Sequence, residues 1–152
     1  MARLGTKQSP LLRGGGKSFG PKPRDFATGL PRKIYDLAWR TALSYRYRKG
    51  ELIICEDGIE ISNPEPGYVK KIFEHNRWGR EHGKSLVITE SVTHNLFSAL
   101  RGSLDAGRAE TVHDVDVKDL LGMGRLIIEK GALDRLIREH RSDLGKPAAR
   151  AA

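Results

Sequence analysis

This chain of 152 residues has one cysteine and no long apolar run, and each scarcity excludes a class of protein. The single Cys55 excludes an internal disulfide and fits a reducing compartment. It lies in the apolar run at residues 52–55, which favours a small buried hydrophobe. No stretch approaches the roughly 18 uninterrupted apolar residues of a membrane span. Membrane insertion is therefore not expected.

Acidic residues are scarce in the first third of the chain. Residues 1–50 carry 12 Lys or Arg against two acids, whereas residues 51–152 carry 15 basic and 17 acidic residues. A near-neutral part thus follows a strongly cationic one. This asymmetry indicates a polyanionic partner, nucleic acid first and an acidic membrane surface second.

Signals for metal or catalytic chemistry are also missing. Neither an H-x-x-x-H nor a C-x-x-C pair occurs. Surface or capping roles explain the five scattered histidines: His75, His82, His94, His113 and His140. The acidic run Asp114, Asp116 and Asp119 could suggest magnesium, but capping of a helix N-terminus explains it better. We expect no metal, no cofactor, no small-molecule substrate and no enzymatic activity.

The chain divides into two parts with different sequence patterns. Residues 1–30 show no periodicity and hold six of the 17 glycines and three prolines, which predicts an extended basic arm. From Pro31, a residue suited to a first helical turn, apolar positions alternate between helical and strand spacing. In the first helix the apolar positions with helical spacing are Ile34, Leu37, Ala38, Thr41, Ala42 and Tyr45.

The alternation predicts a three-layer, Rossmann-like α/β domain with a mainly parallel sheet and flanking helices. Helices are expected at about 31–48, 66–77, 92–101, 116–122 and 131–140, and strands at about 51–56, 85–89, 110–114 and 125–128. The strand at Leu52–Cys55 is expected to be buried. The domain then spans 31–140, and 141–152 forms a flexible tail. Trp39 and Trp78 could stack on bases, although packing is at least as good an explanation.

The segment Gly14-Gly15-Gly16-Lys17-Ser18 superficially resembles a phosphate-binding loop. Such a loop is G-x-x-x-x-G-K-[ST] between a strand and a helix. Its first glycine would fall on Leu11, and Pro21 and Pro23 oppose a helix beginning at Lys17. A nucleotide-binding enzyme is therefore an unfavoured alternative.

The same segment suits contact with RNA. Glycines let main-chain N–H groups approach a crowded anionic surface, and prolines stiffen the chain around Lys22 and Arg24. Arginines and lysines neutralise phosphates, and Arg also stacks on bases. A disordered, solubilising basic tail remains the alternative on composition alone.

The stretch "SPLLRGGGKSFGPKPRDFATGLPRKIYDLAWRTALS" resembles the signature of the ribosomal protein L4 family of the large subunit. The matching elements are Arg-Gly-Gly-Gly at 13–16, Phe-Gly-Pro-Lys-Pro-Arg at 19–24 and Leu-Pro-x-Lys at 30–33. Later segments fit more loosely, so the resemblance covers roughly residues 3–140. It implies an α/β domain and a long loop that enters ribosomal RNA and helps line the peptide exit tunnel.

The resemblance implies a structural, RNA-binding role, with large-subunit ribosomal RNA and neighbouring large-subunit proteins as partners. The alternative is a basic RNA-binding module outside the ribosome. The expected RNA-binding residues are Arg3, Lys7, Arg13, Gly14, Gly15, Gly16, Lys17, Lys22, Arg24, Arg32, Lys33 and Arg40.

The chain departs from the family pattern at its start. Family members carry a strand-and-helix segment and the outgoing arm of the loop before this point, so we expect an exposed sheet edge. A fragment, an incomplete gene model and a late start remain open explanations. The stretch "LPRKIYDLAWRTALSYRYRKGELIICEDG" is most similar to fungal mitochondrial members, which favours the mitochondrial over a bacterial-type cytosolic ribosome.

Overall fold

A computed structural model describes residues 5–79, 83–103, 105–142 and 144. Helices and strands alternate along the chain, which confirms the predicted α/β class. The elements are α1 (Arg32–Arg48), β1 (Leu52–Cys55), α2 (Pro66–His75), β2 (Ser85–Thr89), α3 (His94–Gly102), β3 (Gly107–Thr111), α4 (Val117–Gly122), β4 (Arg125–Glu129) and α5 (Lys130–Glu139).

The four strands form one sheet in the order β1-β4-β2-β3, and every neighbouring pair is parallel. Parallel neighbours require a crossover connection, which the intervening helices supply. The path from β1 through β2 to β3 moves one way across the sheet, and the return to β4 moves the other way. Right-handed crossovers in opposite directions place helices on opposite faces.

The core accordingly has two halves, one on each face of the sheet. Ile88 and Ile128 belong to the half that contains Trp39 of α1, Leu120 of α4 and Leu136 of α5. Their sequence neighbours Val87 and Ile127 belong to the other half, with residues of α2 and α3. Successive side chains of a strand point to opposite faces, so the continuous apolar runs of β2 and β4 serve both halves. The three-layer prediction is confirmed.

The third strand lies three residues earlier than the predicted bounds of about 110–114. The strand is Gly107–Thr111, and the N–H groups of Asp114 and Val115 both donate to the Thr111 carbonyl at 3.1 Å, which makes a turn. Val115 is buried within this turn and so mimics a strand residue in the sequence. Gly107 is needed because a Cβ there would lie 2.1 Å from the Ser85 carbonyl oxygen.

The prediction that β1 is buried is wrong in part. Ile54 is 54% exposed, whereas Ile53 and Cys55 pack against the core. Burial raises the pKa of the Cys55 thiol, and the Glu129 carboxylate raises it further. β1 lies at one end of the sheet and, among the described residues, pairs with β4 only. β1 is therefore an edge strand of the described sheet.

The opposite edge strand, β3, carries charge. Arg108 forms ion pairs with Glu110 at 2.8 Å and with Asp119 of α4 at 2.9 Å. Charged side chains on an edge strand oppose pairing with another chain. Most of the predicted flexible tail at 141–152 lies outside the described residues.

Candidate nucleic-acid interface

The arm has no helix or strand over residues 5–31, and nearly all of it is exposed. The predicted contact residues Lys7, Arg13, Lys17, Lys22 and Arg24 are all exposed. Five cations displayed without regular structure can reach phosphates on an irregular surface. Arg3, also predicted, lies outside the described residues.

The first part of the arm folds on itself, and we call residues 6–16 the closed loop. Three successive turns are made by backbone bonds of 3.0 Å each: Ser9 N–H to Thr6, Leu12 N–H to Ser9, and Gly15 N–H to Leu12. Gly16 N–H then donates to the Gln8 carbonyl at 2.8 Å. This last bond brings the two ends of the loop together, so Lys7 and Lys17 flank the joined pair.

Gly15 has a local role within this loop. A Cβ at Gly15 would lie 1.9 Å from the Ser9 carbonyl oxygen, a separation at which the backbone must shift. Gly14 adopts a positive φ of 80°, which L side chains rarely adopt. Two members of the glycine triplet, Gly14 and Gly15, are therefore favoured by the loop's own geometry. Close approach of these glycines to RNA stays a prediction.

Beyond the closed loop the chain has no helix or strand until α1 begins. The Arg24 guanidinium lies 4.5 Å from the centre of the Phe26 ring, a cation–π contact between two exposed side chains. No helix follows Lys17 within the described arm, because the next one, α1, begins only at Arg32. The geometry of a phosphate-binding loop, a helix N-terminus directly after Gly-Lys-Ser, is thus absent from these residues.

The N-terminus of α1 adds positive charge to the end of the arm. Arg32 and Lys33 are exposed in the first turn, and no acidic residue accompanies them there. A helix N-terminus carries partial positive charge, so cations at this position destabilise the isolated helix slightly. The same arrangement favours an anion such as a phosphate group.

The remaining cations of α1 differ in availability. Arg40 is half-buried and interacts within the protein. Arg46 is buried and donates to main-chain carbonyls, from Nε to Leu120 at 2.7 Å and from Nη2 to Leu121 at 2.8 Å. It also contacts the carbonyls of Met123 and Gly124 and the Glu51 carboxylate. Arg46 is therefore a structural residue, although by sequence it belongs to the basic third.

A buried carboxylate joins α1 to the end of α5. Asp36 accepts from the Ser142 N–H at 3.0 Å and from the Ser142 hydroxyl, and it lies 3.0 Å from His140 Nδ1. Trp39, one turn further along α1, stacks on the His140 ring at 4.5 Å between centroids. These contacts, which sequence reasoning missed, hold α1 and its basic N-terminus against the domain.

The other candidate residues have structural roles. Asp116 and Asp119 form a capping box at the start of α4, which confirms the capping interpretation. Trp39 is buried, and Trp78 packs edge-on against Phe73, so packing explains both tryptophans. In the described part of the chain, no three His, Cys, Asp or Glu side chains are placed to hold a metal, and no helix is long and apolar enough to cross a membrane. His82 lies outside that part.

Comparison with known proteins gives a consistent result. Residues 1–139 match the sequence profile described as the ribosomal protein L4/L1 family. The chain is 49% identical to the large ribosomal subunit protein uL4m of Neurospora crassa over 163 aligned residues, covering 94% of this chain. It is 33% identical to uL4 of Heliobacterium modesticaldum and 36% identical to uL4 of Trichormus variabilis, in both cases over 89% of this chain.

These relatives are longer than the chain. The alignment spans 50% of the Neurospora crassa protein and 63% of each of the two bacterial ones. The chain therefore corresponds to about half to two thirds of the length of the curated relatives that it matches.

Proposed function

Since this chain belongs to the ribosomal protein L4/L1 family, we propose that it is a structural component of the large ribosomal subunit. Its arm, residues 1–30, binds ribosomal RNA, and the α/β domain, residues 31–140, anchors that arm. The observation that carries the proposal is the exposure of five cations in the described part of the arm, residues 5–30, which has no helix or strand. Neighbouring large-subunit proteins are its further partners, and it has no enzymatic role.

The mitochondrial large subunit is the proposed location. Support comes from the 49% identity to uL4m of Neurospora crassa, against 33% and 36% for the two bacterial relatives. A position of the arm near the peptide exit tunnel is also part of the proposal, because the family resemblance of residues 13–33 implies it.

Crosslinking tests the proposal directly. Ultraviolet crosslinks between this chain and RNA, mapped by residue in purified mitochondrial ribosomes, should concentrate in residues 1–30 and at the N-terminus of α1. Crosslinks confined to residues 50–139 would contradict it. Co-sedimentation with the large subunit in a sucrose gradient separates this role from RNA binding outside the ribosome.

The salt dependence of RNA binding is the second test. If the arm and α1 neutralise on the order of six to ten phosphates, affinity should fall by about three to five decades between about 50 and 200 mM salt. Replacing Arg13 and Lys17 together by Gln should lower the magnitude of the salt slope by about two. The matched control replaces Lys70 and Lys71, exposed cations of α2 on the other face of the sheet from α1.

The control removes the same charge and should leave the slope unchanged. Equal slopes for both double variants would mean that net charge alone drives binding. ATP or GTP binding by the unmodified chain, lost in Lys17→Ala, would instead support the nucleotide-binding alternative.

A further inference from the structure

The closed loop has a small interior of its own. Ser9, Leu12 and Gly15 are the half-buried members of the described residues 5–34, where all others are exposed. They lie three apart: the successive turns meet at Ser9 and at Leu12, and the last turn ends at Gly15. The described part of the arm therefore contains a folded unit followed by a segment without helix or strand.

The fold of this unit depends on the absence of a side chain at Gly15. A methyl group at Gly15 would meet the Ser9 carbonyl oxygen at 1.9 Å and the Ser9 carbonyl carbon at 2.9 Å, both backbone atoms that move only if the turn opens. Gly20, five residues later, is exposed, and a Cβ there meets nothing within 4 Å. The chain thus offers two arm glycines, of which Gly15 has no room for a Cβ and Gly20 has.

A segment that is folded before binding loses less conformational entropy when it docks. It also presents its charges at fixed separations, which suits a folded RNA whose phosphates are fixed in turn. A flexible polycation gains affinity from charge alone and adapts equally to a flexible single strand.

We propose that the closed loop is a preorganised RNA-binding unit, and that Gly15 is its positioning residue. The inference rests on the proposed function and deepens it. Lys7, Arg13 and Lys17 contact phosphates of folded large-subunit ribosomal RNA from positions set by the turns. The loop thereby discriminates folded RNA from an unstructured strand of equal charge.

The experiment compares Gly15→Ala with Gly20→Ala in the full chain. The probes are mitochondrial large-subunit ribosomal RNA of Neurospora crassa, transcribed and refolded, and poly(U) as an unstructured strand. Gly15→Ala should bind the ribosomal RNA about tenfold more weakly than Gly20→Ala, because the loop must be ordered at the moment of binding. The two variants should share one salt slope, since their cations are the same, and should bind poly(U) equally.

A second measurement does not depend on RNA. In the free unmodified chain, the Gly16 amide should show slowed hydrogen exchange and a nuclear Overhauser contact with Gln8, and both should be lost in Gly15→Ala. Thermal unfolding checks that the α/β domain is intact in both variants.

The proposed function and the inference fail in different ways. Absence of salt-dependent ribosomal RNA binding by the unmodified chain would remove both. Intact binding with equal affinities for Gly15→Ala and Gly20→Ala, or an unprotected Gly16 amide, would remove the inference alone. A changed salt slope in Gly15→Ala would also overturn it, because the substitution would then alter the number of phosphate contacts.

Discussion

At the scale of single residues, the least expected feature is the buried guanidinium of Arg46. The last carbonyls of a helix have no partner within that helix. Arg46 supplies donors to the carbonyls of Leu120 and Leu121 at the end of α4, and to the loop that leads into β4. One side chain of α1 thereby fixes the path from α4 to β4, one of the two inner strands of the sheet.

Replacing Arg46 tests this role. Arg46→Met should lower the free energy of unfolding by about 3 kcal/mol, because buried carbonyls and the Glu51 carboxylate lose their partner. Arg48→Met removes the same charge two residues later, at an exposed position, and should change that free energy by less than about 0.5 kcal/mol. Urea unfolding at neutral pH measures both. Similar losses of unfolding free energy in both variants would show that the positive charge on α1 is the cause and that the burial of Arg46 is not.

A second residue-scale prediction concerns pH. Hydrogen bonds from Ser142 above all, and then from His140, lower the pKa of Asp36 from 3.8 to about 2, against the opposing effect of burial. A carboxyl whose pKa is lower in the folded than in the unfolded state stabilises the folded state at pH values above its unfolded-state pKa. This stabilisation is lost as the pH falls through the folded-state pKa. Asp36→Asn should therefore be less stable than the unmodified chain at pH 7.

The difference in the free energy of unfolding between the unmodified chain and Asp36→Asn is the stability gap. It should narrow between about pH 4 and pH 2, where the unmodified Asp36 takes up its proton. Urea unfolding of both proteins at pH 7 and near pH 3 measures the gap. The control is Asp25→Asn, on the exposed arm, for which no gap is expected at either pH. A gap that stays constant with pH would show that the contribution of Asp36 does not depend on its charge.

At the scale of elements, the shortest described helix, α4, begins with a side-chain cap. α4 spans only Val117–Gly122, and Asp116 accepts from the Val117 N–H at 2.8 Å and from the Tyr35 hydroxyl at 2.9 Å. Asp116→Ala should lower the free energy of unfolding by about 1–2 kcal/mol. Asp134→Ala, an exposed position in α5, should cost less than about 0.5 kcal/mol. Chemical denaturation compares the two, and equal effects would exclude capping as the cause.

The order and type of every element could be predicted from the sequence, because apolar spacing reports strongly on the regular structure of a buried layer. The residues on the buried face of α1 could not be predicted in this way. The apolar stripe of the sequence includes Ile34 and Leu37, which are 56% and 52% exposed, whereas Asp36 and Arg46 are buried. A charged residue enters a core only with partners, and these partners come from α4, α5 and beyond, out of reach of any local pattern.

At the scale of the whole molecule, the chain combines a charged arm with a domain that has its own core. The described arm residues are nearly all exposed, so their deletion should not open that core. Removal of residues 1–30 should change the free energy of unfolding by less than about 0.5 kcal/mol while abolishing most RNA affinity. Thermal and urea unfolding, beside filter binding to ribosomal RNA, measure both. A large loss of stability would show that the arm is part of the fold.

The candidate nucleic-acid interface also has one property that could be predicted from the sequence and one that could not. Its charges could be predicted from composition, because 12 cations against two acids in residues 1–50 need no structure to be noticed. Its geometry could not, because turns joined by backbone hydrogen bonds leave little trace in side-chain pattern. The signal that was present is the glycine triplet itself, since one of its members packs against Ser9.

The strand order has a consequence for synthesis. β1 follows the first helix of the chain, yet the only strand it pairs with among the described residues is β4, which joins Ile53 to Ile127. During translation β1 therefore has no β4 to pair with until almost the whole domain has left the exit tunnel of the ribosome that synthesises it. Contacts between residues so distant in sequence make folding slow, and an apolar strand that is still unpaired is prone to aggregation. A nascent chain halted before residue 125 should accordingly bind chaperones, and one extended beyond residue 140 by a linker long enough to clear the tunnel should release them.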